Sequence, residues 1–474
     1  MRLRHLTLIL VLLLLSSCGQ PLTLLDQIKK DGVILVATRN GPTTYFEGPD
    51  GPTGFEYDLV SLLAKELNVK VKIITPSNLS DILSLVSQNQ VHLAAAGLTV
   101  TESRQQWIRF GPTYQTITEQ LVYRMGSGIR KPRKPADLIG KHLEVVADSS
   151  HAERLEELQS SQPELEWIEN SELDSNELLN LVWEQVIDYS VADSNEVDLS
   201  QRFYPELRAA FNISKPQQLA WAFPLSNDNS LYDAAAKFIK KIKANGELDV
   251  LLDRYYGHIE RFNFAGTRTY LRHIHKRLPK YRELFETAAN KNKLDWRLLA
   301  AIGYQESHWD PQARSPTGVR GIMMLTLPTA EYLGVKDRVD PEQSISGGAE
   351  YIKKLIKRIP KQIEEPDRTW FALAAYNVGL GHLEDARIIT EKRGGNPNVW
   401  NDVKENLPLL SQRKWYKQTK HGYARGREPV RYVEYIRSYY DLLIWYNAQL
   451  DERITLTPNE NDNNEAIEIT SPAL

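Results

Sequence analysis

The sequence contains almost no cysteine. Cys18 is the single cysteine in the 474 residues, so the chain cannot form an internal disulfide. The histidines also lack partners along the chain. His151, His308 and His382 have no carboxylate or cysteine at the spacing that metal ligands usually show. We therefore expect neither a disulfide framework nor a metal site.

A strong excess of charge of one sign is absent as well. The formal net charge is −3, whereas nucleic-acid-binding domains normally carry a basic excess or a basic stripe. The sequence also has no glycine-rich loop of the kind that holds phosphates. Nucleic acid is thus not an expected partner, and no cofactor is predicted. Hydrophobic content of 42% and charged content of 25% are typical of globular proteins, and the length favours two or three domains.

Long apolar runs are missing except at the start of the chain. Arg2 and Arg4 precede an apolar segment at residues 6–15, which is short for a membrane span and has the order of a secretory signal. The segment ends in Leu-Ser-Ser-Cys-Gly, which resembles a bacterial lipobox. We predict a signal peptide at 1–18 and lipidation of Cys18. No Asp follows this cysteine, which resembles the sorting pattern of outer-membrane lipoproteins, so attachment to the periplasmic face of the outer membrane is expected. The alternative is an ordinary cleaved signal with an incidental cysteine.

The first half of the chain alternates short apolar runs with amphipathic stretches. This rhythm predicts a mostly parallel sheet with helices on both faces. A second lobe of the same kind is expected to begin near residue 143. The predicted strands are residues 33–37, 69–74, 91–96 and 143–147, and the predicted helices are residues 59–67 and 82–86.

Three ordered motifs identify the kind of domain at residues 19–265. They are Gly-Phe-Glu-Tyr-Asp-Leu at 54–59, Gly-Leu-Thr-Val-Thr-Glu-Ser-Arg at 97–104, and Phe-Gly-Pro-Thr-Tyr at 110–114. Together they resemble the family 3 periplasmic solute-binding proteins. The resemblance implies a non-catalytic, regulatory domain of two α/β lobes that close on an amino acid or a small peptide.

The same resemblance assigns roles in the ligand clamp. Arg104, in a Thr-x-x-Arg at a helix start, would hold the ligand carboxylate with help from Thr99, because a guanidinium and backbone N–H groups suit a carboxylate. Asp193 would take an ammonium group. The remaining candidates are Tyr45 or Phe46 as a pocket wall and Ser149 or Ser150 from the second lobe. Two alternatives stay open: Arg104 and Asp193 form a pair that closes the domain, or the domain has lost its ligand.

The second half of the chain has helical periodicity and few convincing strands. We place the linker at about residues 261–267, a catalytic domain at 266–450, and a disordered tail at 451–474, which is acidic, rich in asparagine and poor in apolar residues. An all-α domain is therefore expected to follow the two-lobed α/β domain.

One carboxylate stands out at residues 294–307. Leu299, Ile302 and Glu306 fall on one helical face, at steps of three and four residues. A carboxylate that ends an apolar stripe faces a core or a cleft, where loss of water raises its pKa. Such a raised pKa is what a general acid needs near neutral pH. Glu306 is thus the candidate catalytic residue.

Further motifs follow Glu306 in a fixed order, at residues 315–325, 347–352, 374–379 and 424–433. This set resembles the soluble-lytic-transglycosylase family, a lysozyme-like fold. The resemblance implies cleavage of the β-1,4 bond between N-acetylmuramic acid and N-acetylglucosamine in peptidoglycan, with 1,6-anhydromuramyl ends. Glu306 would act first as acid and then as base.

No second acid with a family role stands near Glu306 in the sequence, since Asp310 and Glu331 match none. This favours a lyase over the glycosidases that use two carboxylates. Two alternatives remain: a muramidase that hydrolyses the same bond, and a non-enzymatic protein that only grips glycan.

The resemblance also implies supporting residues. Ser315 would hydrogen-bond the sugar or orient Glu306, Tyr376 and Asn377 would line the cleft, and Tyr432 would approach the acetamido group. Tyr376 has core packing as its alternative role. Met324 departs from the family, which usually has Gln at this position. Met323 and Met324 are therefore either subsite residues or flexible core filling.

Overall fold

The structure is a computed structural model of the chain. It describes residues 22–48, 51–126, 128, 130–257, 264–315 and 318–456. They divide into two compact units, Met1–Gly257 and His258–Leu474. Within the described ranges, no helix is long and apolar enough to cross a membrane. Cys18 and the signal segment lie outside the described residues.

The first unit contains two five-stranded sheets, one in each lobe. Lobe 1 has the strand order β4-β1-β5-β14-β6, in which β1 runs parallel to β4 and β5 while β14 runs antiparallel to β5 and β6. Lobe 2 has the order β10-β9-β11-β8-β12. These strands are β1 (Val33–Ala37), β4 (Lys70–Ile74), β5 (Leu93–Ala94), β6 (Ile108–Phe110), β8 (Glu119–Arg124), β9 (Leu143–Val146), β10 (Ile168–Asn170), β11 (Tyr189–Asp193), β12 (Leu207–Asn212) and β14 (Ala222–Pro224).

Two small antiparallel ribbons complete the strands of this unit. One joins β2 (Phe46–Gly48) to β3 (Gly51–Thr53). The other joins β7 (Gln115–Ile117) to β13 (Gln217–Leu219), which are the two segments where the chain passes between the lobes. A paired crossing of this kind is the usual place for hinge motion between two lobes, because few residues need to change their backbone angles.

Helices cover both faces of each sheet, as the alternating pattern predicts. The core on one face of the lobe 1 sheet joins Ile34 and Phe55 to Phe238 from a late helix, whereas Ile82 packs on the other face. The helices are α1 (Leu24–Asp31), α2 (Phe55–Leu67), α3 (Leu79–Ser87), α4 (Ser150–Gln159), α5 (Ser175–Glu184), α6 (Ser194–Phe203), α7 (Ser230–Ala244) and α8 (Glu247–Tyr256).

The second unit is built from helices among its described residues, with isolated bridges at 314–325. Helix α11, fully buried along Leu299–Tyr304, packs against the long last helix α18. The helices are α9 (Phe264–Lys276), α10 (Arg282–Asn292), α11 (Trp296–Ser307), α12 (Leu327–Leu333), α13 (Pro341–Arg358), α14 (Asp367–Val378), α15 (Leu380–Lys392), α16 (Trp400–Asn406), α17 (Arg413–Tyr416) and α18 (Arg427–Leu456).

Three predicted boundaries need correction. Lobe 2 begins at β8, not near residue 143, because β8 is an inner strand of its sheet. The predicted linker at 261–267 overlaps helix α9, which starts at Phe264. Helix α18 continues to Leu456, into the segment predicted to be disordered from residue 451, since its partners on α11 and α14 hold the body of the helix in place.

Candidate active site and ligand-binding cleft

Helix α11 is anchored at its start by Asp295. The Asp295 side chain accepts a hydrogen bond from the Arg297 backbone N–H (2.8 Å), the N-cap arrangement that satisfies a free donor of the first turn. Arg297 also forms an ion pair with this carboxylate at 2.7 Å, and Tyr440 of α18 donates its hydroxyl to it at 2.7 Å. One end of the helix is therefore fixed to α18.

The other end of α11 is fixed by a sharp reversal of the chain. The Ser307 hydroxyl donates to the Ile322 carbonyl at 2.9 Å. His308 and Trp309 both adopt positive φ, 53° and 57°, which non-glycine residues rarely do. The buried Trp309 ring then returns to the helix, because its Nε1–H donates to the Ala300 carbonyl at 2.8 Å. These contacts set the position of the last helical turn.

Glu306 lies on that last turn, and its side chain is partly buried. Burial raises the pKa of Glu306 to about 7, and the hydrogen bond from Tyr432 acts in the opposite direction. Tyr432 donates its hydroxyl to Glu306 Oε1 at 2.5 Å. At neutral pH both the acid and the carboxylate are therefore populated, which suits a group that gives and takes protons.

Two stacked tyrosines stand beside this carboxyl. The rings of Tyr376 on α14 and Tyr432 on α18 lie 6.3 Å apart and nearly parallel, at 14°. Burial, and then the Glu306 charge, raise the pKa of both tyrosines well above the usual value, so their hydroxyls remain donors. The Tyr376 hydroxyl donates to the Met323 carbonyl at 2.9 Å. Tyr376 thus has a structural hydrogen bond, as its core alternative requires, while its ring stays next to the acid.

After a tight turn at Gly321, the side chains of Met323 and Met324 differ in burial. Gly321 has φ 84°, and a side chain on it would come within 1.7 Å of the Arg338 carbonyl, so only glycine fits. Met323 is fully buried, and its N–H donates to Ser344 Oγ at 3.2 Å. Met324 has φ 45° and is partly exposed. Met323 therefore fills the core, and Met324 is the one of the pair with a partly exposed side chain.

The remaining predicted cleft residues are Ser315 and Asn377. The Ser315 hydroxyl accepts a hydrogen bond from the Val319 N–H at 3.3 Å, and the Ser315 N–H donates to the Val319 carbonyl at 3.1 Å. Ser315 is thus bound to Val319 through both its backbone and its side chain. Asn377 is exposed near the end of α14.

In the first unit, Arg104 is buried and already has partners. Its guanidinium donates to the Asp148 carbonyl at 2.9 Å and to the Thr99 carbonyl at 3.4 Å, and it forms an ion pair with Glu153 at 3.4 Å. Asp148 and Glu153 belong to lobe 2, whereas Arg104 belongs to lobe 1. The predicted carboxylate-binding residue therefore bridges the two lobes.

Asp193 is buried and contacts a histidine. Its Oδ1 lies 3.0 Å from Nε2 of His151, in the first turn of α4. Ser149 caps the same helix, because its hydroxyl accepts from the Ala152 N–H at 3.2 Å, and Ser150 is the first helical residue. Asp193 therefore contacts His151, whereas Arg104 contacts Asp148 and Glu153. The direct Arg104–Asp193 pair of the domain-closing alternative does not form.

A second bridge between the lobes was missed by sequence reasoning. Arg39 of lobe 1 forms an ion pair with the buried Glu196 of lobe 2 at 2.5 Å and donates to Ser175 Oγ at 3.4 Å. Arg39 follows β1, and Glu196 lies in the first turn of α6. Nothing in the sequence connects two residues so far apart, so no pattern could have identified this pair.

The cleft between the lobes is nearly filled. It holds a cavity of about 10 Å³, lined by Arg39, Glu56 and Asp193 among others. That volume accommodates about one water molecule. Tyr45 is not in the lining; its ring packs on Tyr57 at 5.6 Å, and Phe46 begins strand β2. A cavity of this size does not accommodate an amino acid.

Comparisons with known proteins agree with this division. Residues 33–258 match the family model of bacterial extracellular solute-binding proteins, family 3, and residues 283–398 match that of the Transglycosylase SLT domain. Membrane-bound lytic murein transglycosylase F of Saccharophagus degradans is 50% identical over 439 residues, covering 93% of this chain and 87% of that protein. The chain belongs to the membrane-bound lytic murein transglycosylase F family.

Other members of this family are similarly close. Membrane-bound lytic murein transglycosylase F 1 of Alkalilimnicola ehrlichii is 51% identical and covers 90% of this chain and 86% of that protein. The protein from Pseudomonas fluorescens is 48% identical over 91% of this chain and 89% of its own length. The chain is thus an enzyme of the lytic transglycosylase class, and the predicted fold of both halves is confirmed.

Several residues that position the transglycosylase site were missed. Asp295 carried a signal, since an acidic residue directly before an apolar helix is a typical N-cap. Ser307, Arg338 and Ser344 carried none, because they act through backbone groups. The Arg338 guanidinium donates to the Leu325 carbonyl at 3.0 Å, which supports the same turn as Ser344.

Proposed function

We propose that this enzyme cleaves the β-1,4 bond between N-acetylmuramic acid and N-acetylglucosamine in peptidoglycan, with Glu306 as acid and then base. The observation that carries the proposal is a partly buried carboxyl whose pKa is raised to about 7 and whose hydrogen-bond partner is the neutral Tyr432. The names of the relatives, which refer to murein, support the substrate.

In the proposed reaction Glu306 gives up one proton and later regains one. The protonated carboxyl gives its proton to the glycosidic oxygen as the bond to C1 of the muramic acid breaks. The resulting carboxylate takes the proton of the C6 hydroxyl, and the C6 oxygen bonds to C1, which forms the 1,6-anhydro ring. The substrate's acetamido group can stabilise the positive charge at C1. No water is consumed, and Glu306 ends protonated, ready for another cycle.

The surroundings of Glu306 support a lyase with one carboxyl. Burial and the Tyr432 hydrogen bond are the two influences on its pKa, and neither is a second acid. Asp310 and Glu331, the nearest acids in sequence, are exposed. Glycosidases that use a carboxylate pair hold the two groups about 5–10 Å apart across the bond. The muramidase alternative would need such a partner.

The test uses purified sacculi and the full-length chain in detergent, with products identified by mass spectrometry. We expect anhydromuramyl products that disappear with Glu306→Gln and persist with Glu331→Gln, a control acid on the exposed side of α12. Products with reducing ends would establish the hydrolase instead. Undiminished products from Glu306→Gln would remove this residue from the mechanism.

We also propose that the first unit binds an amino acid or a muropeptide and modulates turnover. Arg104 and Thr99 would hold the ligand carboxylate, and Asp193 the ammonium, once the lobes open and the Arg104–Glu153 contact is replaced. Control of this kind requires different ligand affinities in two states. Turnover titrated with muropeptides should change for the natural chain and stay flat for Arg104→Ala. A flat response from both proteins would reject the idea.

The proposed location is the periplasmic face of the outer membrane, with Cys18 as the lipid anchor. The relatives are named membrane-bound, and the lipobox-like sequence supplies a means of attachment. We expect Cys18→Ser to move the protein from the membrane fraction to the soluble periplasmic fraction. Membrane association of this variant equal to that of the natural chain would contradict the lipid anchor.

A further inference from the structure

Three potential metal ligands converge in lobe 2. Glu119 on β8 and Asp193 on β11 are cross-strand partners in the sheet, and His151 comes from the first turn of α4. Each offers one ligand atom, and these atoms all lie within 4.8 Å of one another. His151 Nε2 and Asp193 Oδ1 lie 3.0 Å apart.

Two of these side chains have buried atoms without hydrogen bonds. Glu119, His151 and Asp193 are 1%, 5% and 4% exposed, yet Oε2 of Glu119 and Nδ1 of His151 lack a hydrogen-bond partner. Because His151 contacts Asp193 through Nε2, the unpaired atom within the cluster is Oε2 of Glu119. Buried polar atoms are normally satisfied, and each exception asks for an explanation such as an ion.

We propose that Glu119, His151 and Asp193 bind a divalent transition-metal ion of the zinc class. One imidazole nitrogen with two carboxylate oxygens is a ligand set that zinc accepts, with a further position left for water. Asp193 cannot bind the ion and a ligand ammonium together, so this site is an alternative to the ammonium role of Asp193 given above. Zinc ligands about 2.1 Å from the metal stand about 3.4 Å apart in tetrahedral geometry. The three ligand atoms, which lie within 4.8 Å of one another, would have to move closer to reach that spacing. The ion would replace the proton between His151 and Asp193, which would be released to solvent.

The arginines near the cluster are also paired with other groups. Arg39 is paired with Glu196, and Arg104 with Glu153 and the Asp148 carbonyl. The third nearby arginine, Arg154, lies 3.7 Å from Glu119 but also forms an ion pair with the exposed Glu157. Glu119, Asp193 and Glu196 therefore place three buried carboxylates around His151. A divalent ion would add to the partial neutralisation of Glu119 and Asp193 that His151, Arg39, Arg104 and Arg154 already provide.

The test measures metal binding directly and needs no substrate, so it is independent of the proposed function. The full-length chain in detergent, stripped with chelator, is dialysed against Zn²⁺ and titrated separately with Co²⁺. We expect one equivalent of zinc and a visible cobalt absorption band typical of low coordination number. His151→Gln and Glu119→Gln should each weaken binding by at least about tenfold, since even loss of an outer-shell group costs that much.

The matched control is His142→Gln. His142 and Glu144 form an exposed histidine–carboxylate pair at 2.7 Å in the same lobe, without a third ligand. This variant should bind zinc like the natural chain. Thermal unfolding in chelator shows whether each variant folds, and zinc should raise the Tm of the natural chain and of His142→Gln alone. Absence of a stoichiometric equivalent, or binding unchanged in folded His151→Gln, would overturn the proposal.

Discussion

Two glutamates, one in each unit, differ in how their burial is compensated. Glu56, in the lobe 1 cleft, accepts hydrogen bonds from the Gly97 N–H and the Trp221 Nε1–H, both at 2.8 Å, and from the Tyr114 hydroxyl. Glu306 in the catalytic unit accepts one from Tyr432. Burial raises the pKa of both groups, but only Glu56 has a full set of donors.

The comparison shows that a raised pKa alone does not identify a catalytic acid. Glu56 is fully enclosed by donors that hold the end of β5 against α2 and β14, so its role is structural. Glu306 is partly exposed at the end of a helix whose two ends are fixed. A rigid carboxyl with one donor and access to solvent can exchange a proton with a substrate, whereas a saturated carboxyl cannot.

The largest expected effect comes from exchanging carboxyl for amide at both positions. Glu306→Gln should lower turnover by at least about 100-fold while leaving the fold intact, because a general acid contributes roughly 10²–10⁴-fold. Glu56→Gln should instead destabilise the first unit by about 1–3 kcal/mol, since an amide NH₂ would face N–H and O–H donors. Sacculus digestion and thermal unfolding of both variants measure the two effects. The same loss of turnover and the same loss of stability in both variants would contradict the distinction between the two glutamates.

The dependence of stability on pH sharpens the same contrast. The pKa of Glu306 rises from 4.5 to about 7 on folding, so the folded state keeps a proton that the unfolded state has lost in this range. Stability from this group is therefore present below about pH 4.5 and declines up to about pH 7, by at most roughly 3 kcal/mol. Between pH 5 and 8, the Tm of Glu306→Gln should rise relative to the natural chain. A constant difference would contradict the raised pKa.

The sequence predicted the helix that carries Glu306 and the face on which it lies, because both follow from local periodicity. It also predicted the alternating strands and helices of lobe 1 to within a few residues. The boundary of lobe 2 was wrong, since β8 pairs with β11 and β12, which come much later in the chain. Pairing between distant segments leaves no periodic signal.

The cluster of Glu119, His151 and Asp193 illustrates the same limit. No metal site was expected, because His151 has no carboxylate or cysteine at ligand spacing along the chain. Such spacing is informative only when the ligands share one element. Here a helix and two strands each supply one residue. The roles of Ser315, Asn377 and Tyr45 came from resemblance and stay predictions.

A smaller effect is expected from the single donor at Glu306. Tyr432→Phe removes the hydrogen bond that lowers the pKa of Glu306, so this pKa should rise above about 7 and the pH profile of turnover should shift upward. Turnover at neutral pH should fall by about tenfold, in line with loss of one hydrogen bond to a charged group. Tyr440→Phe is the matched control, because it removes the donor at the other end of α11. An upward shift in both variants would point to movement of the helix.

The smallest effect tests the turn at Met323 and Met324. Met324→Gln introduces the polar residue that the family resemblance predicts at this partly exposed position, so we expect KM to fall a few-fold with kcat unchanged. Met323→Gln should instead destabilise the fold by several kcal/mol, because its polar amide would be fully buried. Packing around this side chain is tight, since a Cβ on Gly348 would lie 2.6 Å from Met323 Cγ. Kinetics and thermal unfolding of the pair separate the two roles. Unchanged KM in folded Met324→Gln would show that substrate binding does not use this side chain.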